Sequence, residues 1–165
     1  MERGGVSVGE SRGKWGRVGA ASALMGEFRH TIDEKGRLTL PARIREELGT
    51  LFVATKGLDG CLFLYPGPEW AVVEAKLRAL PLTQKGARAM VRLFFSGAAE
   101  CRCDAQGRVL LPANLRAFAQ LEREGVVAGV GGRVEVWNPA AWDSYVKQAD
   151  ADIGDIAERL EGLGL

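Results

Sequence analysis

The sequence predicts an α+β fold in which two copies of one small unit build a barrel-like core flanked by helices. Three observations carry that reading. Asp33-Glu-Lys-Gly-Arg37-Leu-Thr-Leu-Pro41-Ala-Arg-Ile-Arg45 returns as Asp104-Ala-Gln-Gly-Arg108-Val-Leu-Leu-Pro112-Ala-Asn-Leu-Arg116, so Asp, Gly, Arg, Leu, Pro, Ala and Arg coincide at one offset. The apolar runs around these motifs are short and broken by Gly and Pro. Such strands favour interleaved hairpins closing into a small barrel over a large open sheet. Between and after the two copies, apolar residues recur at helical spacing. Two copies make a duplicated fold with a pseudo-twofold relation, since a solenoid needs three or more.

Each unit reads strand, turn, strand, helix, strand, strand, helix. Glu27 to Ile32 alternates weakly and ends in Asp-Glu-Lys-Gly, where Gly36 can supply the positive φ of a tight turn. Leu38 to Leu40 is a short strand. Leu40 precedes a proline and is biased to extended backbone, while Pro41 suits a first helical turn, so the strand runs straight into a helix over 41–48 with Gly49 as its C-cap. Leu51 to Thr55 and Cys61 to Tyr65 flank Gly57-Leu-Asp-Gly60 as a hairpin. Trp70, Val73, Leu77 and Leu80 then form one helical stripe. Ala87, Met90, Val91, Phe94 and Phe95 do the same in a connector that turns Lys85, Arg88 and Arg92 away. The repeat brings back the whole plan, with Gly60, Tyr65 and Trp70 meeting Gly132, Trp137 and Trp142 after a shift of one. A last helix is expected to turn Ile153, Ile156, Leu160 and Leu163 inward and an acidic face outward. The expected organisation is an extension over 1–24, one unit over 25–80, a connector over 81–96, a second unit over 97–150 and an acidic helix over 151–165.

Of 165 residues, 47% are hydrophobic and 26% charged, enough apolar mass for a buried core. No run of 18 apolar residues offers a membrane span, and the Gly-, Ser- and Arg-rich stretch before Met25 has no apolar stretch suited to secretion. Three cysteines, an odd count, argue against a disulfide framework and for a reducing cytosol. Net charge is +1, yet it is unevenly spread. From Lys76 to Arg102 six basic residues face one acidic residue, whereas from Asp143 to Leu165 six acidic residues face two basic ones. A local basic patch is what phosphate binding requires, and overall neutrality does not exclude it.

The doubled D-x-x-x-R signature, each copy followed by G-R-[LV]-x-[LV]-P-A-x-[LI]-R, resembles the MraZ family of bacterial transcriptional regulators. Arg92-Leu-Phe-Phe-Ser-Gly-Ala98 also fits the family pattern. The similarity spans Met25 to about Tyr145. It implies two repeats of the AbrB/SpoVT swapped-hairpin type and a cytoplasmic, nucleoid-associated protein without cofactor. It further implies a ring-like homo-oligomer that binds double-stranded DNA at direct repeats in the promoter region of the division and cell-wall gene cluster. Two departures stand out: residues 1–24 precede the usual family start, and Gln106 stands where the first copy has Lys35.

Chemistry assigns the signature residues as follows. Asp33 and Asp104, with Gly36 and Gly107, are expected to structure the turns, because a carboxylate facing phosphates would oppose binding. Arg37, beside Lys35 at a turn tip, presents a planar fork for phosphate oxygens or guanine, with Arg29 and Arg43 nearby and Arg108 as its counterpart. Arg45 and Arg116, on the helices, are expected in internal salt bridges. Cys61, Cys101, Cys103 and His30 could nominally supply four zinc ligands, but no C-x-x-C pair exists and Cys103 aligns with the apolar Ile32. No metal site is expected, and no nucleophile–base set points to an enzyme. Two alternatives stay open: an antitoxin-like DNA-binding protein with a toxin partner, and a structural ring that binds no DNA.

Overall fold

A computed structural model describes residues 23–160 together with Gly162 and Gly164. Residues 1–22, Glu161, Leu163 and Leu165 lie outside the described residues, and so do the expectations placed on them.

The first repeat contributes β1 (Leu24–Thr31), β2 (Arg37–Thr39), α1 (Ala42–Leu48), β3 (Phe52–Lys56), β4 (Leu62–Pro66) and α2 (Gly67–Arg78). The connector is α3 (Lys85–Gly97). The second repeat contributes β5 (Ala99–Cys101), β6 (Arg108–Leu110), α4 (Ala113–Phe118), β7 (Glu124–Gly131), β8 (Val134–Trp137) and α5 (Pro139–Arg159). The strand–Pro–helix junction is reproduced almost to the degree. Pro41 has φ −56° and ψ 145°, Pro112 has φ −55° and ψ 144°, and each carbonyl accepts the first helical bond, from Arg45 and Arg116 at 3.0 Å. Proline therefore stands one residue ahead of the helix rather than in its first turn.

The strands form a six-stranded antiparallel sheet in the order β1-β7-β8-β4-β3-β5 and a two-stranded ribbon, β2-β6. Exchanging every strand for its counterpart in the other repeat reverses that order and leaves the pairing unchanged. β1 of the first repeat pairs with β7 of the second, β5 of the second pairs with β3 of the first, and β2–β6 and β4–β8 pair counterpart with counterpart. The two repeats are thus interleaved about a pseudo-twofold.

Two expectations are corrected. The ladders do not close into a barrel. After each Asp turn the chain leaves the sheet edge, so the three-residue β2 and β6 pair with each other and meet the β1 and β5 chains only through single bridges, Ile32↔Leu38 and Cys103↔Val109. Nor is the C-terminal helix packed inward. α5 is one continuous helix through residue 150, it buries no residue, and Ile153, Ile156 and Leu160 are exposed. Leu24 is buried and pairs with Gly131 of β7.

Alternation along the central strands sends side chains to two cores. Leu62 and Leu64 of β4 and Val134 and Val136 of β8 join Leu38, Leu40, Ile44, Leu48, Val109 and Leu115 beneath the ribbon, α1 and α4. Phe63, Tyr65 and Trp137 face the opposite side, with Trp70 and Leu77 of α2 and Phe94 of α3. Period-two alternation with both faces apolar marks strands covered on both sides. The Thr55 hydroxyl donates to the Phe94 carbonyl at 2.8 Å and fastens the connector to β3.

Candidate nucleic-acid interface

The ribbon carries both signature turns. Leu38 and Val109 point into the core, so alternation turns Arg37, Thr39, Arg108 and Leu110 outward. Arg37 lies opposite Leu110, and Thr39 opposite Arg108. The turns sit at the two ends of this ribbon and are stitched across it. The Leu40 amide donates to the Gly107 carbonyl at 2.9 Å and the Leu111 amide to the Gly36 carbonyl at 3.2 Å. One short exposed platform therefore holds both copies of the motif.

Each Asp is the pivot of its turn. One Asp33 carboxylate oxygen accepts from the backbone amides of Lys35 at 3.0 Å and Arg37 at 2.9 Å, while the other accepts from Arg37 Nε at 2.6 Å. Asp104 repeats this with the amides of Gln106 and Arg108 and with Arg108 Nε, at 3.0, 2.9 and 2.9 Å. The backbone hydrogen bond from Arg37, joined by its guanidinium, holds the Asp33 carboxyl below its ordinary range, and Arg108 does the same to Asp104. Arg37 is consequently not a free tip residue. It opens β2, half-buried and ion-paired, and Lys35 is the exposed cation of the tip.

The two arginines differ at their outer nitrogens. Gln106 accepts from Arg108 Nη2 at 3.3 Å, and Arg108 Nη1 lies 3.9 Å from Asp33. Lys35 offers no acceptor, so among the described residues only Nε of Arg37 is engaged and its outer edge is open. The other expected cations fall elsewhere. Arg43 is exposed on α1. Arg29 lies on β1 and is ion-paired with Asp143 of α5, while Glu27 accepts from the Trp142 indole beside it. Arg29 is thus a strut between sheet and helix.

Arg45 and Arg116, expected in internal salt bridges, reach across to the paired turns. A Cβ built on Gly36 would stand 2.3 Å from the Arg116 guanidinium, and one on Gly107 would stand 1.8 Å from that of Arg45. Each helix arginine therefore lies against the turn glycine of the other repeat, and Arg116 Nε also donates to the Leu111 carbonyl at 3.0 Å. Sequence reasoning missed this crossing, although Gly and Arg recur in both copies at the same offset.

The cysteines do not gather. Cys61 belongs to the aromatic core, whereas Cys101 and Cys103 pack with the other. Burial pushes the Cys61 thiol up to about 12 and that of Cys101 to about 11. Among the described residues no group of three His, Cys, Asp or Glu side chains is placed to hold a metal ion, and no helix is long and apolar enough to cross a membrane.

Comparison with known proteins gives a consistent picture. The family model described as "MraZ protein, putative antitoxin-like" matches twice, over residues 23–93 and 94–163. A protein of Desulfitobacterium hafniense named "Transcriptional regulator MraZ" is 60% identical over 142 residues, covering 86% of this chain and 99% of that one. Proteins of the same name from Desulforamulus reducens and Moorella thermoacetica are 58% and 57% identical, over 85% and 83% of this chain and 99% and 96% of theirs.

Proposed function

The chain belongs to the MraZ family, and on that footing we propose that it is a transcriptional regulator that binds double-stranded DNA through the paired turns of the β2–β6 ribbon. The observation that carries this reading is the ribbon itself, which holds both D-x-x-x-R turns on one exposed platform. In this reading Asp33, Gly36, Asp104 and Gly107 shape the turns. Lys35 and Arg43 meet phosphates, and Arg37 offers its open outer edge to a phosphate or a guanine. Arg108 contributes less, because Gln106 and Asp33 share its guanidinium. Arg29 contributes least, because Asp143 already holds it.

The interleaved pairing of β1 with β7 and β5 with β3 supports a swapped-hairpin relation of the AbrB/SpoVT kind. The target is direct repeats in the promoter region of the division and cell-wall gene cluster, including the protein's own gene. The protein acts in the cytoplasm at the nucleoid, as a ring-like homo-oligomer. Direct repeats suit such a ring, since successive copies along one side present their turns in the same sense.

Titration of fluorescent upstream DNA tests the site. Lys35→Ala and Arg43→Ala, both exposed, should weaken operator and random DNA together and lower the salt slope by about one phosphate each. Arg37→Lys, which keeps the charge but loses the fork, should lose preference for operator over random DNA. Wild-type affinity and preference in all three would remove the ribbon from the interface.

The antitoxin-like reading has one observation in its favour: the distal half of α5 is bare. Purification from the native cell discriminates, since a small second protein held in fixed ratio would support a toxin partner.

A further inference from the structure

Two exposed helix faces of this chain complement each other in charge and in shape. On α3, Gly86, Ala89, Met90 and Leu93 lie at spacings of three and four on the side away from the core, and Leu93 is 53% exposed. Nothing lies within 4 Å of a Cβ placed on Gly86, so the strip is open and shallow enough for another helix to approach. Lys85, Arg88 and Arg92 border it, and α3 contains no acidic residue.

On α5 one apolar stripe begins inside the fold and continues outside it. Trp142 and Tyr145 stack against Trp137, with ring centroids 5.4 and 5.1 Å away. The same stripe then runs on through Ile153, Ile156 and Leu160, where every residue from 151 to 160 is exposed. This overhang exceeds the repeat plan, because α2, the counterpart of α5, stops at Arg78, the position equivalent to Asp150. Asp150, Asp152, Asp155 and Glu158 border it, with Arg159 as the one base among them.

We infer that the distal half of α5 from one copy of this chain seats on the outer strip of α3 of the next copy, head to tail. The inference rests on the assembly reading above and names its surfaces. Like-with-like pairing would set three cations against three cations, or four carboxylates against four, in a contact that excludes water, and Coulomb repulsion there is costly. Cross-pairing joins opposite charges and covers both apolar strips at once. The lengths agree as well: residues 151–159 and 85–93 each span about 14 Å at roughly 1.5 Å per residue. A contact between two different surfaces is heterologous, so it leaves one unmet face of each kind at every end and propagates until it closes.

Light scattering on Leu93→Asp and Ile156→Lys tests this, with circular dichroism confirming the fold of each. Both positions are exposed; if either variant fails to fold, Leu93→Ser or Ile156→Ser replaces it. Wild type should be a multimer, and each variant alone should have the mass of one chain. An equimolar mixture should give two-chain species and nothing larger, because one joint is intact and both free ends are spoiled. If wild type assembles and both variants assemble equally, the named surfaces are wrong while the assembly reading stands. If only one variant dissociates, the contact is symmetric and the head-to-tail scheme falls. A monomeric wild type at all concentrations overturns the assembly reading and this inference with it.

Discussion

Gly36 and Gly107 each satisfy two demands at once. Their φ angles, +84° and +79°, lie where a side chain is strained, and the guanidinium of the opposite repeat occupies the space a Cβ would need. Gly60 has the same φ, +79°, but nothing within 4 Å. Gly60→Ala should therefore cost about 1 kcal/mol of backbone strain, and Gly36→Ala or Gly107→Ala the same strain plus a smaller loss as the end of an arginine swings aside. Denaturant unfolding measures the difference, and equal losses at all three would refute the packing role. Asp33 and Asp104 set a pH dependence. Their carboxyls are held below the ordinary range in the fold, so their stabilisation is present above the unfolded value of about 3.9 and is lost as pH falls through the folded one. Asp33→Asn/Asp104→Asn should lower stability at neutral pH and flatten the acid limb below about 4, the gap to wild type closing as pH falls. A double variant that keeps the wild-type acid limb would show that other carboxylates govern it. The Asp pivots were legible in the sequence because their partners lie two and four residues away. The crossing of Arg45 and Arg116 was not, because their partners lie far away in the chain and only the exchanged topology brings the other repeat's turn to each helix.

Among the elements, local chemistry was the better guide. The Gly57–Gly60 hairpin, the Pro-led helices and the stripe of Trp70 and Leu77 formed where spacing and turn residues placed them, with boundaries displaced by a residue or so. The barrel was over-read, because strand length says how far a ladder runs and not which edges meet. α5 shows a second limit: Ile153, Ile156 and Leu160 have the spacing of a core stripe, and periodicity is the same whether the covering surface belongs to the chain or to another molecule. Removing residues 151–165 should change unfolding free energy by less than about 0.5 kcal/mol, since the described part buries nothing. Thermal unfolding of dilute samples checks this, and a large loss would mean the overhang stabilises a single fold.

For the whole molecule, the balance of charge on the ribbon sets how DNA is held. Asp33, Glu34 and Asp104 offset Lys35, Arg37 and Arg108, so one copy offers few phosphate contacts and should bind weakly. Linking copies raises apparent affinity by roughly 10²–10⁴ when the spacing of sites matches that of subunits. Affinity should therefore climb steeply from one operator repeat to three and fall when about five base pairs, half a turn of roughly 10–10.5, are inserted between repeats. Equal binding to single and triple operators would refute the multivalent scheme. The reversible strand order also governs how the molecule is made. On the ribosome β1 emerges long before β7, its ladder partner, and β3 emerges before β5, so the first half of the chain waits with bare edges until the second half arrives. Residues 23–93 expressed alone should accordingly never be a stable monomer. A second copy of the half-chain can supply the counterpart of every missing strand, and sedimentation should find a twofold dimer, the arrangement from which gene duplication and fusion would yield the present chain.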